Sequence, residues 1–240
     1  MDLMSMLRAS ASPGPQLGHE HSYRSPRLVA NLLSVLFAVE LAALVIMGAL
    51  LWDGMGLARA LAAGQEVSPE SLELFDHRLA DIAVISLVLT IASALMLCWW
   101  THRLAAYALA LGGYLSTSPG WAAASYFIPL HNLWGPYAAL VEIWDGSRAA
   151  PSLAPEGART HRVLTVWWIV WVTSAMLHIA SRSLEPAADV GAWMGQLAIA
   201  GLSLAVQALA VILALAAVWK LTRRQEEHQA ARIPAARRIS

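Results

Sequence analysis

Long apolar runs alternate with short polar segments along this chain, and inside the runs the 3.6-residue period is weak. Four runs stand out, at 28–52, 79–100, 162–182 and 191–219. A transmembrane helix needs roughly 20 mostly apolar residues, and each run supplies them. A helix apolar on every side has no polar face to offer water. The pattern therefore predicts an all-α polytopic membrane protein with four transmembrane helices, its membrane domain covering 28–221. The segments 1–27 and 222–240 read as tails, the first a disordered one without the apolar core of a cleavable signal peptide.

The segment between the second and third runs follows a different rule. "SPGWAAASYFIPLHNLWGPYAALVEIWDG", at 118–146, is apolar but punctuated by proline. Its first part gives about 16 Å of helix, half of a crossing, before Pro129 ends it. In the second part Asn132 is placed to cap a helix, Pro136 sits in its first turn, and Gly146 closes it. Neither piece spans alone, so the expectation is a re-entrant or interfacial helical hairpin, with its Trp and Tyr residues at headgroup level. Between the first two spans, "LARALAAG" reads as a short helix closed by Gly64. Ser68 followed by Pro69 reads as a helix start that extends the second span outward.

Composition supports the membrane reading and charge orients it. Hydrophobic residues make up 58% of the chain and charged ones 13%, about half the usual charged share of soluble domains. Net charge is zero, which offers no basic field for nucleic acid. All but Arg59, Arg78 and Arg182 of the 16 Lys and Arg residues fall before the first run, between the second run and the start of the third (Arg162 included), or after the fourth. Asp53, Glu66, Glu70, Glu73, Asp76, Glu185 and Asp189 fall on the other side. By the positive-inside rule both termini and the hairpin are expected in the cytoplasm, in a bacterial-type cell membrane. Basic residues of the last tail are placed to meet anionic headgroups or to stop transfer.

"SPGWAAASYFIPLHNLWGPYAALVEIWDGS" resembles the signature of the DUF4328 family, membrane proteins without an assigned function. The matching positions include Ser118, Pro119, Gly120, Trp121, Pro129, Asn132, Leu133, Trp134, Pro136, Tyr137, Glu142, Ile143 and Trp144. Upstream, "WTHRLAAYALALG" resembles the family's interfacial helix, with Trp100, Arg103 and Tyr107 in place. Gly135 and Val141 stand where that signature often has basic residues, so any phosphate contact those make is weakened here. The resemblance covers roughly 27–220 and implies a topology and structural roles for the motif residues; it implies no reaction.

Few side chains carry candidate chemistry. Glu40 lies at the midpoint of the first span, where a carboxyl is a candidate functional group. Thr90, Ser93, Thr173, Ser174, Ser203 and Gln207 lie at similar depth, and the simpler reading is polar glue between helices. Glu142 is expected to anchor irregular backbone by reaching Asn132, Arg103 or the hairpin's Trp and Tyr donors; its sharper reading is a general base beside His131. His102, His131 and His161 fall near one surface. His77 and His178 fall near the other, with Asp76 and Asp81 close to His77. None has ligand-like spacing, and His-x-His in "GHEHSY" lies in the tail, so no metal and no cofactor is expected. Cys98, the single cysteine, reads as a small buried hydrophobe. Gly191, Gly195, Gly201, Ala205, Ala210 and Ala214 form a small-residue stripe suited to helix packing or self-association. No catalytic motif appears, and no residue is assigned a catalytic role. The functional expectation is a binding or scaffolding module acting through the aromatic hairpin on lipid or on another membrane protein. The alternatives are a small oligomeric proton-coupled transporter or channel using Glu40, and an interfacial enzyme using Glu142 and His131.

Overall fold

The computed structural model describes residues 25–147 and 157–237, with side chains over 25–147 and 162–230. The predicted N-terminal tail lies outside the described residues up to position 24. Every regular element among those described is helical. In chain order these are α1 (Arg27–Ala62), α2 (Pro69–Ala110), the two-turn α3 (Pro119–Ala124), a single 3-10 turn (His131–Leu133), α4 (Gly135–Gly146), α5 (Gly157–Arg182) and α6 (Val190–Arg237). Helices α1, α2, α5 and α6 are each long and apolar enough to cross a membrane.

Three of them overshoot the apolar runs that predict them. α1, α2 and α6 contain 36, 42 and 48 residues, or about 54, 63 and 72 Å of helix. Hydrocarbon is only about 30 Å thick. The short helix expected at "LARALAAG" is therefore a correction: it is the last part of α1. Packing explains the continuity. Ala58 is buried beside Phe75 of α2, and Gly54 leaves room for that ring, which a Cβ would meet at 2.6 Å. Gly64 does end the helix, with φ +71°. Its N–H donates to Leu61 O and the Gln65 N–H donates to Ala60 O, both at 3.0 Å, a Schellman closure. Ser68 starts α2 as expected, its hydroxyl accepting from the Ser71 N–H at 3.2 Å with Pro69 in the first turn.

The long helices form an arc. α1 packs on both α2 and α6, and α6 packs on α5, while α2 and α5 barely touch. Arg27 at the start of α1 lies 3.6 Å from Glu226 of α6, so the start of α1 and the last part of α6 lie at one pole, called here the hairpin end. There α3 packs on α2, and α4 packs on both α2 and α5, filling the gap between those two helices. Most of the core lies at this end, around Trp100, Leu104, Leu140, Ile143, Leu164, Trp167, Val218 and Leu221. A smaller cluster of Ala58, Phe75 and Leu197 closes the far end. Between them Val45, Ile46, Val84, Ile85, Val88 and Leu95 are exposed, an apolar surface that suits hydrocarbon rather than water. Small residues set the approach of α6, where Ala210, Ala214 and Ala217 are buried. A Cβ at Gly195 or Gly201 would meet nothing, so those glycines of the stripe do not pack inside the chain.

Candidate functional site

Two places concentrate polar and aromatic groups: the hairpin, and a cleft at mid-depth of the arc. In the hairpin, Ser118 caps α3 by accepting from the Trp121 N–H at 3.2 Å. α3 stops at Ala124, five residues earlier than the expected stop at Pro129. The hydroxyl of Ser125 bonds back to Ala122 O at 2.7 Å. At Leu130 φ is +63° and ψ −48°, and the His131 N–H donates to Pro129 O at 2.7 Å. This is the geometry of a strained γ-turn, which costs a non-glycine residue roughly 1–3 kcal/mol.

The expected capping by Asn132 is not what the fold uses. Trp134 is the N-cap of α4 and offers no side-chain bond; Asn132 lies in the 3-10 turn, too early to reach the helix's first amides. Pro136 sits in the first turn as expected. α4 ends at Gly146 without a positive φ; the Gly146 carbonyl instead lies close against Gly113 in the turn after α2, where the missing Cβ of Gly113 makes room for it.

Polar bonds seat the hairpin. Trp168 of α5 donates its Nε1–H to Leu133 O at 2.7 Å, and the hydroxyls of Tyr137 and Thr165 lie 2.9 Å apart. The hydroxyls of Tyr126 and Thr101 lie 3.1 Å apart. Burial pushes the Tyr126 phenol pKa up, against a smaller opposing effect of that hydrogen bond. Glu142 does not reach the groups expected for it. Its carboxylate accepts from the Ser116 N–H and from Thr117 Oγ1, the latter at 3.2 Å, and so holds the loop that leads into the hairpin. His131 is wedged between rings, 6.2 Å from Trp121 and 5.4 Å from Trp134. No hydrogen bond joins His131 to Glu142 among the described residues. Of the motif residues, Trp121, Pro129, Leu133 and Trp134 are exposed, Pro136 and Trp144 are buried, and Arg103, Asn132, Tyr137 and Glu142 lie between.

The end of α6 completes this pole, where a polar tail was expected from 222 onward. Thr222, Gln225 and His228 are buried. Trp100 Nε1–H donates to Thr222 Oγ1 at 3.2 Å. Gln225 Nε2 donates to Leu104 O at 3.0 Å and to Ser147 Oγ at 3.1 Å. Tyr107 donates to Gln229, and the Arg224 guanidinium stacks 4.4 Å over the Trp144 ring. The signal for this was spacing: 218, 221, 222, 225 and 228 are all buried, a helical stripe hidden by the polarity of its members.

The cleft lies where α2 and α5 fail to meet, toward the far end. It encloses about 750 Å³, within the usual range of small-molecule sites. Glu40, only 5% exposed, lies at its deep end. Thr90 Oγ1–H points to the carboxyl at 3.4 Å, and Ser93 and Gln207 flank it. Ser174 and Ser203 line the same space; Thr173 is exposed elsewhere. Asp76, His178 and Arg182 line the opposite end, which we call the mouth. The fold thus joins Glu40 to most of the polar residues expected at its depth.

Among the described residues, no three His, Cys, Asp or Glu side chains converge as a metal site. His77 and His102 are exposed, the His161 side chain and the "GHEHSY" pair lie outside the described residues, and His178 accepts from Arg182 Nε at 3.4 Å.

No curated protein and no solved structure matches the chain. The family model described as "Domain of unknown function (DUF4328)" matches residues 63–223. That match is more than half of the chain, running from the turn before α2 through the hairpin to the buried part of α6, and the chain therefore belongs to the DUF4328 family.

Proposed function

We propose that this chain is an integral protein of the cell membrane whose hairpin binds the lipid headgroup layer from the cytoplasmic side, with both termini on that side. One observation carries the lipid-binding reading. Trp121, Phe127, Leu130, Leu133 and Trp134 are exposed together on one short segment, with Leu130 73% exposed, while Trp100, Trp144 and Trp167 of the same pole are buried. Apolar and aromatic side chains raised at the edge of an apolar bundle match the aromatic belt of a bilayer. The distribution of Lys and Arg supports the cytoplasmic assignment. Ser118, Ser125 and Glu142 are engaged in holding backbone of the hairpin and of the loop that leads into it, which favours binding over catalysis.

The test is a nitroxide placed at Phe127, Leu130 or Trp134 in a Cys98→Ser background and reconstituted in phospholipid bilayers. The expected result is preferential relaxation by oxygen over a water-soluble nickel chelate at all three positions. Preferential relaxation by the nickel chelate would overturn the reading. Orientation is tested with Tyr114→Cys in the same background, a position 85% exposed in the turn after α2, which is expected to resist a membrane-impermeant maleimide in intact cells and to react after lysis.

A further inference from the structure

We propose that the cleft between α2 and α5 is a binding site for an apolar-bodied cation, a lipophilic ammonium or phosphonium, whose charge is met by Glu40. This goes beyond the lipid-facing role of the hairpin and concerns a different part of the molecule.

Shape gives the first argument. The two helices bordering the cleft barely touch, so its long side is open between two helices that are each apolar and long enough to cross a membrane, and a ligand dissolved in the membrane would have a direct way in. Along α1 the lining runs from Leu51 to Glu40, about 16 Å at helical rise, so the site suits an extended or bulky apolar body. Its walls are mainly aliphatic, with Trp171 as an aromatic surface near the floor; such a ring attracts a cation at its face.

Charge gives the second. The titratable groups lining the cleft are Glu40 from α1, Asp76 from α2, and His178 and Arg182 from α5; α6 contributes only the neutral Ser203 and Gln207 among its polar groups. His178 and Arg182 lie about one and two turns along α5 from Ser174, at the mouth. The floor therefore holds one acid, surrounded by hydroxyls and an amide, without a cation among the described residues. The Ser86 hydroxyl in the same lining has no hydrogen-bond partner among the described residues. A carboxylate far from water is costly when alone and stabilised beside a positive charge. A bound cation accordingly exchanges with the proton on Glu40: the proton leaves to solvent, the carboxylate remains, and no covalent bond to the ligand forms.

The experiment is equilibrium dialysis of the detergent-purified full chain with tritiated tetraphenylphosphonium, over a pH series, with released protons followed by a dye in weak buffer. Wild type is expected to bind more tightly as pH rises and to release about one proton per cation bound. Glu40→Gln is expected to bind about tenfold or more weakly, without pH dependence and without proton release. That variant retains Asp76 and His178, so a pH dependence that persists in it overturns the assignment. Ala83→Phe, which fills the cleft wall without touching the acid, is expected to abolish binding while eluting and melting like wild type. Unchanged binding in either variant, no binding in wild type, or equal capture of neutral dodecanol and dodecyltrimethylammonium each overturns the proposal.

Discussion

Gly113→Ala probes the contact between the turn after α2 and the end of α4. A Cβ built at Gly113 lies 2.3 Å from Gly146 O and 2.9 Å from Ala108 O. Both neighbours are backbone, so no side chain can rotate away. Moving off the Gly146 carbonyl drives the new methyl toward Ala108 O, to which the Gly113 N–H is already bonded at 2.9 Å. Reaching even a 3.0 Å separation requires the two segments to part by about 0.7 Å, in a region where Leu140, Ile143 and Leu111 are fully buried. Overpacking of this kind costs about 1–3 kcal/mol. For a chain of this size each kcal/mol lowers Tm by about 2–4 °C. Gly120→Ala is the matched control: its Cβ meets nothing within 4 Å, and it lies in helix α3, so it is expected to be neutral or mildly stabilising. The assay is the surviving monodisperse fraction on gel filtration of detergent-purified protein after heating. A Gly113→Ala protein that melts with wild type would refute the close approach of the two segments.

Two further outcomes follow from the same pole. The fold favours the neutral Tyr126 phenol, so the stability it carries is complete below about pH 10 and is lost as pH climbs through the raised value. Alkaline melting curves should fall more steeply for wild type than for Tyr126→Phe, and parallel curves would count against a buried phenol. Glu142→Gln weakens the acceptor for the Ser116 amide, so hydrogen exchange at Ser116 and Thr117 should quicken by about tenfold, the equivalent of one charge-assisted bond, while exchange at Leu104 stays the same; unchanged exchange at 116–117 would show that the carboxylate does not hold the loop.

Elements whose cause is local were legible in the residues alone. A run such as 28–52 has no other reading than a span, and Ser68–Pro69 and Ser118–Pro119 announce helix starts by capping chemistry that needs no distant partner. Elements whose cause is tertiary were not. Asp53, Gly54 and Gly56 are poor helix formers, yet α1 runs through them because Phe75 packs against Gly54. Asn132 is a good cap in isolation, but the turn at Leu130 sets it too early. Thr222, Gln225 and His228 looked solvated by identity and are buried; Trp100 and the Leu104 carbonyl of α2, together with Ser147, bond to the first two. For Glu40, depth could be counted along the chain and Thr90, Ser93 and Gln207 named. That α2 and α5 stand apart there, leaving space, is a property of the hairpin's width and invisible in either helix.

α6 is one unbroken rod, and it touches both places described above. Gln207 flanks Glu40 and, 18 residues on, Gln225 is tied to Leu104 and Ser147, a separation of about 27 Å along the axis. A rod without a hinge moves as a lever: a tilt of about 5° at the cleft displaces the Gln225 end by about 2.4 Å, close to half a helical turn of rise. The hydrogen-bonding partners of this end, Trp100, Leu104, Ser147 and Tyr107, would register that displacement at once, so whatever leans on the membrane half of α6 is read by the half beyond it.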